Sequence, residues 1–219
     1  MRTALIAGAS GLVGGELLRQ LLAEAEYGRV VAVGRRPLDV THPKLVRVTA
    51  DFAALDRVAG ELRGDDAFCC LGTTIRAASS RVAFRAVDHA AVLAFGWAAQ
   101  RGGAQRFYLV SSLGADAQSR VFYSRVKGET EAALRVLGFG TLGIFRPSLL
   151  RGTRKEFRPG ERIGHGMMAV LDPLLVGRWR KYRAIEATVV ACAMLRCALG
   201  APGPGTLVFE SNEIAERGR

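Results

Sequence analysis

Cysteine and histidine are scarce in this 219-residue chain, and neither is spaced for a structural job. The four cysteines occur as an adjacent pair, Cys69-Cys70, and as Cys192 and Cys197 on an apolar stretch with helical spacing; His42, His89 and His165 are scattered. This excludes a disulfide framework and a zinc site, and no metal is expected. Lysine is rarer than the charge suggests. The net charge is +11, yet only four of the 31 basic residues are lysines, so much of it is a general arginine bias. One stretch stands out: from Arg146 to Arg183 ten basic residues meet only Glu156, Glu161 and Asp172, a net of +7. Such a patch suits cofactor phosphates, an anionic substrate, or a membrane or nucleic-acid surface. No apolar run reads as long enough to span a bilayer, and with a strand expected to start next to Met1 no signal peptide is expected. A cytoplasmic location is therefore expected. Repeats, low-complexity tracts and interdomain linkers are missing too. With 49% hydrophobic residues, a single domain over 1–219 is expected, with an ample core.

What is present begins with glycine. Thr3-Ala-Leu-Ile-Ala-Gly8 reads as a buried strand, and Leu12 to Ala25 has helical spacing, with Leu17, Leu18, Leu21 and Leu22 as its apolar stripe. The strand thus enters the helix through Gly8-Ala-Ser-Gly11-Leu-Val-Gly14. Gly8 permits a tight turn, Gly11 lets backbone approach a pyrophosphate, and Gly14 lets helix and strand pack closely. The helix N-terminus supplies free N–H groups and the positive end of its dipole.

The second strand, Arg29 to Gly34, ends in Arg35-Arg36. A site for NAD usually places a carboxylate here to bind the ribose 2′-hydroxyl, and none is present. Two guanidiniums instead suit a 2′-phosphate, so NADPH is the expected cofactor.

Strand and helix patterns keep alternating. Further strands are predicted at 46–50, 66–71, 106–112, 142–145 and 206–210, with helices near 56–63, 81–101, 121–137 and 185–199. Six or seven strands separated by helices predict an α/β fold: a doubly wound, mostly parallel sheet of the Rossmann type. Ligands bind such sheets where strands end. Leu71-Gly72-Thr73-Thr74 follows the fourth strand and Ser111-Ser112-Leu113-Gly114 the fifth. Tyr123 and Lys127 then lie one turn apart on the next helix, on one face. A phenol ordinarily ionises near pH ~10, and a neighbouring ammonium stabilises its phenolate. Tyr123 can therefore exchange a proton with a carbonyl oxygen, a serine hydroxyl can orient that carbonyl, and Lys127 can also hold ribose hydroxyls.

Gly8-Ala-Ser-Gly-Leu-Val-Gly14, Gly34-Arg-Arg36, Cys69-Cys-Leu-Gly-Thr-Thr74, Ser111-Ser-Leu-Gly-Ala-Asp116, Tyr123-x-x-Val-Lys-Gly-Glu129, Phe145-Arg-Pro147 and Phe209-Glu-Ser-Asn span nearly the whole chain. Together they resemble the Tat-interacting-protein-type atypical short-chain dehydrogenases. The Cys-Cys-Leu-Gly-Thr-Thr string is far more specific than the glycine pattern. The resemblance implies NADPH binding through Ser10, Gly11, Leu12, Val13, Arg35, Arg36, Leu71 and Gly72, with contacts from Tyr123, Lys127, Leu150 and Arg158. It implies Tyr123 as proton donor or acceptor. Ser112 is favoured as the catalytic serine, with Ser111 as the alternative. Two departures stand out: Cys69-Cys-Leu-Gly72 replaces the Asn-Asn-Ala-Gly segment of typical members, and their helix Asn has no obvious counterpart around Val87-Asp88-His89.

Residues 148–183 are expected to form a variable segment on the substrate side. Within it, Met167 to Gly177 is apolar and Arg178-Trp-Arg-Lys-Tyr-Arg183 follows. A covering helix is the expectation, and a peripheral membrane anchor is the alternative. Two function classes remain open: an NADPH-dependent reductase of a small or medium carbonyl substrate, or an NADPH-binding regulatory or assembly protein with little turnover. No specific nucleic-acid partner is expected. The helices at 81–101 and 121–137 could pair in a homodimer, or the protein could be a monomer. Arg35→Asp is expected to erode the preference for NADPH over NADH. Fluorescence titration of both dinucleotides reads the change, and an unaltered ratio would remove the 2′-phosphate assignment.

Overall fold

The computed structural model describes residues 1–152 and 181–219. Their centre is a seven-stranded sheet in the order β3-β2-β1-β4-β5-β6-β9, with every pairing parallel. The strands are β1 (Arg2–Ala7), β2 (Tyr27–Gly34), β3 (Leu45–Thr49), β4 (Asp66–Cys69), β5 (Arg106–Val110), β6 (Thr141–Arg146) and β9 (Gly205–Glu210). The chain winds outward from β1 to β3, then returns past β1 to β4 and winds the other way. This is the doubly wound Rossmann topology, with its switch point between β1 and β4.

Strand alternation divides the core into two layers. Ala4 and Ile6 of β1, and Tyr108 and Val110 of β5, join the cluster under α1 (Leu12–Ala23). Leu5 and Ala7, and Phe107 and Leu109, face the opposite layer. That second layer holds a 3-10 stretch (Phe52–Glu61), a long helix α3 (Arg81–Arg101) and α4 (Phe122–Val136). A single helical turn, α2 (Ile75–Ala78), precedes α3. On the first face, α5 (Ala187–Leu199) lies beside α1, and α6 (Ser211–Arg217) closes the layer. By length and composition alone α3 could cross a membrane, contrary to the expectation that no stretch would. Phe84, Val92, Phe95 and Ala99 turn into the core, while Val82 and Trp97 are exposed.

Several boundaries differ from those predicted. The helix expected at 56–63 is the 3-10 stretch, broken by non-helical backbone at Ala54 and Val58. The helix expected at 185–199 begins at Ala187, because Ile185–Glu186 forms β8, which pairs with β7 (Leu150–Arg151) in a separate two-stranded sheet. This ladder joins the two sides of the 148–183 segment. Residues 153–180, including Arg158 and the apolar run from Met167 to Gly177, lie outside the described residues.

At the sheet edge opposite the strand ends, fully buried Asp66 gathers three donors. Tyr27 Oη donates to it at 2.7 Å, Arg106 Nη2 at 3.2 Å and Arg2 Nη1 at 3.3 Å. Burial, reinforced by this carboxylate, pushes the Tyr27 phenol well above its ordinary value. The cluster pins β1, β2, β4 and β5 together. Removing one partner strands the others in a poorly solvated site, so Asp66→Ala is expected to cost about 3 kcal/mol or more in urea unfolding. A loss below about 1 kcal/mol would show the cluster to be peripheral.

Candidate dinucleotide and proton-transfer site

All the predicted site residues within the described chain gather along one edge of the sheet. Registers Ala7↔Val33, Ala7↔Cys69, Cys69↔Leu109 and Val110↔Phe145 align the strand ends. The turn after β1 is built by close backbone approach. Gly8 adopts φ 85°, and a Cβ there would lie 2.5 Å from the Cys70 carbonyl oxygen. A Cβ on Gly14 would lie 2.1 Å from the Gly8 carbonyl oxygen, so α1 crosses directly over the turn. Ser10 and Gly11 are exposed at the mouth, Leu12 is half-buried, and the Val13 side chain enters the core, which leaves Val13 only its backbone to offer a ligand. Gly11 caps α1 without any side-chain hydrogen bond, so the first N–H groups of the helix are open to an anion. This cradle fits a dinucleotide pyrophosphate. Arg35 and Arg36 are exposed just beyond the end of β2. Leu150 packs against the α1-side core, and Leu12 Cδ2 lies 3.2 Å from where a Cβ on Gly152 would sit.

Across the switch point from Arg35, Tyr123 and Lys127 sit on α4, the helix that follows β5. Tyr123 is half-buried with its ring tilted against Phe84 at 5.4 Å. Lys127, one turn later, is buried, with Nζ 2.7 Å from Asp88 Oδ1. The same Nζ lies 3.5 Å from the position a Cβ on Gly72 would take, so the ammonium stands directly over the end of β4. Burial alone would lower the Lys127 pKa. The Asp88 carboxylate, with Tyr123 and the hydrogen bond to Asp88, outweighs it and the net shift is upward. A raised lysine contributes stability in full below its ordinary value of 10.5 and loses it only as pH climbs through the higher folded value. At neutral pH the Lys127 amine is therefore an ammonium. Beneath it, burial pushes the Cys69 thiol up to about 12, so this cysteine is neutral and unreactive.

The two serines after β5 have different surroundings. Ser111 is buried and donates to Glu131 Oε1 at 2.6 Å, and that carboxylate also receives Arg146 at 2.9 and 2.6 Å. Ser112 is half-buried, and among the described residues its hydroxyl makes only a long 3.4 Å contact to the neighbouring Leu113 carbonyl. Ser111 is thus occupied in the core, whereas the Ser112 hydroxyl has no such partner among the described residues.

Asp88 and Glu131 were both missed as site residues from sequence. Asp88 accepts the Thr73 N–H at 2.8 Å besides pairing with Lys127. The legible signal was its place on the apolar stripe of α3, where Phe84, Asp88, Val92 and Phe95 follow helical spacing. A carboxylate at a core position requires a partner.

A family model described as NAD(P)H-binding matches residues 8–136. Protein HTATIP2 of Rattus norvegicus is 36% identical over 223 residues, which cover all of this chain and 90% of that protein. Mitochondrial protein fmp52 of Emericella nidulans is 30% identical over 211 residues, 92% of this chain and 89% of its own length. Among solved structures, MoeE5 in complex with UDP-glucuronic acid and NAD superposes with a TM-score of 0.71 at 18% identity, covering 98% of this chain and 80% of that one. UDP-glucose 4-epimerase of Thermotoga maritima gives 0.70 at 13%, with the same coverages. These two likenesses concern the fold.

The fungal relatives correct one expectation. Several are named as mitochondrial, so the cytoplasmic location inferred from sequence is withdrawn. The expectation rested on reading neither a membrane span nor a secretory signal, and those readings, like cysteines without disulfide spacing, do not separate the cytosol from another reducing compartment.

Ser111→Ala is expected to lower stability by about 1–2 kcal/mol, because it deprives a buried carboxylate of a donor. Ser112→Ala should change it by less than about 0.5 kcal/mol. Urea unfolding of both variants checks this, and equal losses would mean that neither serine is set apart for a ligand. Likeness over its full length and the family match together place this chain among the NAD(P)H-binding proteins of the short-chain dehydrogenase/reductase type, in the Tat-interacting-protein group.

Proposed function

We propose that this protein is an NADPH-dependent oxidoreductase that reduces a small or medium carbonyl compound. The observation that carries the reading is the buried ammonium of Lys127, held over Gly72 and one turn from Tyr123. A structural lysine has no need of this position, which lies at the strand ends where the glycine turn accepts a dinucleotide. Ser112, with its hydroxyl unclaimed by the core, supports the role of carbonyl-orienting donor. Arg35 and Arg36 support NADPH over NADH, as cations where a ribose 2′-phosphate would be met. The 148–183 segment is taken as the substrate side of a single domain, joined at its base by the β7–β8 ladder.

A nicotinamide bound along this edge would supply the hydride. The protein's own part is to align the carbonyl and manage the proton. Ser112 Oγ donates a hydrogen bond to the carbonyl oxygen and fixes its direction. Tyr123 Oη gives that oxygen its proton as the carbon becomes tetrahedral, leaving a phenolate and an alcohol. The Lys127 ammonium stabilises the phenolate and favours its recovery of a proton from solvent.

The experiment is NADPH oxidation by a panel of aldehydes, ketones and quinones, with dinucleotide affinity measured alongside. Tyr123→Phe is expected to lower turnover by about a hundredfold or more while the NADPH Kd stays within about twofold. Tight NADPH binding without oxidation by any panel member would favour the regulatory or assembly reading. Turnover indifferent to Tyr123→Phe would remove the assigned proton donor.

A further inference from the structure

Packing does not account for the carboxylate in the middle of α3. Asp88 is fully buried between Phe84 and Val92, in a stripe otherwise given to the hydrophobic core. The desolvation of such a group is offset only by close partners, and each of its oxygens has one. Oδ1 lies 2.7 Å from Lys127 Nζ, and Oδ2 accepts the Thr73 N–H at 2.8 Å. The backbone carries a π turn over Ala86–Ala91 at this point. Turns of this kind occur frequently at functional sites, where one extra residue re-aims a side chain. The Asp88 carbonyl also accepts the Thr130 hydroxyl at 2.9 Å, which ties α3 to α4 just beyond Lys127.

From this geometry we infer that Asp88 is a positioning residue for proton transfer. It clamps Lys127 to the cofactor-side strand end at Gly72–Thr73, and its charge offsets the ammonium that Tyr123 experiences. The role in turnover rests on the reductase reading; the electrostatic coupling does not. Lys127 is then half of a nearly neutral pair, and proton release by Tyr123 is left to respond to positive charge arriving with the oxidised dinucleotide. Among the described residues, other ionisable groups near the pair have their own surroundings. Cys69, under the pair, is neutral because burial raises its thiol. On the outer surface Arg85 pairs with Glu129 at 2.5 Å, Arg125 lies 3.9 Å from the same carboxylate, and His89 is lowered by burial and by Arg85. Arg81 lies over the Phe122 ring.

The phenol itself provides the test, without cofactor or substrate. The chain has four tyrosines. Tyr27 and Tyr108 are held well above their ordinary value by burial and then by Asp66, so they stay silent until strongly alkaline pH. In a Tyr182→Phe background the phenolate absorbance therefore reports Tyr123, and Tyr123→Phe identifies the step by abolishing it. Asp88→Asn keeps an acceptor for Thr73 and removes the charge, and the midpoint is expected to fall by about one pH unit. Lys127→Met leaves the carboxylate alone and should raise it by a similar amount. If Lys127→Met moves the midpoint and Asp88→Asn does not, the inference is overturned and the reductase reading stands. If neither moves it, Tyr123 and Lys127 are uncoupled and both fall. Should Asp88→Asn fail to fold, Asp88→Asn/Lys127→Met, which contains no unpaired buried charge, is compared with Lys127→Met. The carboxylate's removal is then expected to lower the midpoint between those two, and equal midpoints overturn the inference.

Discussion

The contact between the turn after β1 and its two neighbours, the start of α1 and the end of β4, is the constraint on which the site depends. With Gly14 crossing the Gly8 carbonyl and Gly8 lying against the Cys70 carbonyl, no side chain separates helix, turn and strand. That proximity aims the open N–H groups of α1 into the crevice at the switch point between β1 and β4. It also puts the dinucleotide cradle and the Gly72 edge, over which Lys127 stands, on the same pair of strands. A single methyl at either glycine would need backbone to move, because the atoms it meets are peptide groups rather than yielding side chains.

Electrostatic order in the second layer comes from two buried carboxylates. Asp88 joins α3, α4 and the end of β4; Glu131 joins α4, the end of β5 and Arg146 at the end of β6. Neither is an economical source of stability, since desolvation consumes most of the Coulomb attraction of a buried pair. Their effect is geometric. The Lys127–Asp88 ion pair and the hydrogen bonds of Glu131 tie α4, and with it Tyr123 and Lys127, to the ends of β4, β5 and β6. Glu131 also separates the roles of adjacent serines, holding Ser111 in the core and leaving Ser112 at the surface of the crevice.

Much of this was legible in the chain. The alternation of apolar strands with 3.6-period helices carried the Rossmann topology, because a parallel strand buried on both faces and a helix buried on one leave distinct patterns. The glycine turn, Arg35-Arg36 and the Tyr123/Lys127 spacing all resided in short stretches whose local geometry follows from sequence. Boundaries were harder where local propensity was weak: the 3-10 stretch over Phe52–Glu61 carries helical composition without sustained α geometry. The β7–β8 ladder was invisible, since its two-residue strands lie on either side of a long insertion and carry no periodicity.

What the sequence determined by itself is therefore local: a glycine turn suited to a dinucleotide, a cationic strand end and a phenol one helical turn from a lysine. Tertiary structure alone decided who partners whom. That Asp88 pairs with Lys127 across 39 positions, that Ser111 rather than Ser112 is taken by Glu131, and that Asp66 collects Arg2, Tyr27 and Arg106 depend on packing separate elements together. A buried charge chooses its partner by distance in three dimensions, and no one-dimensional pattern encodes that distance.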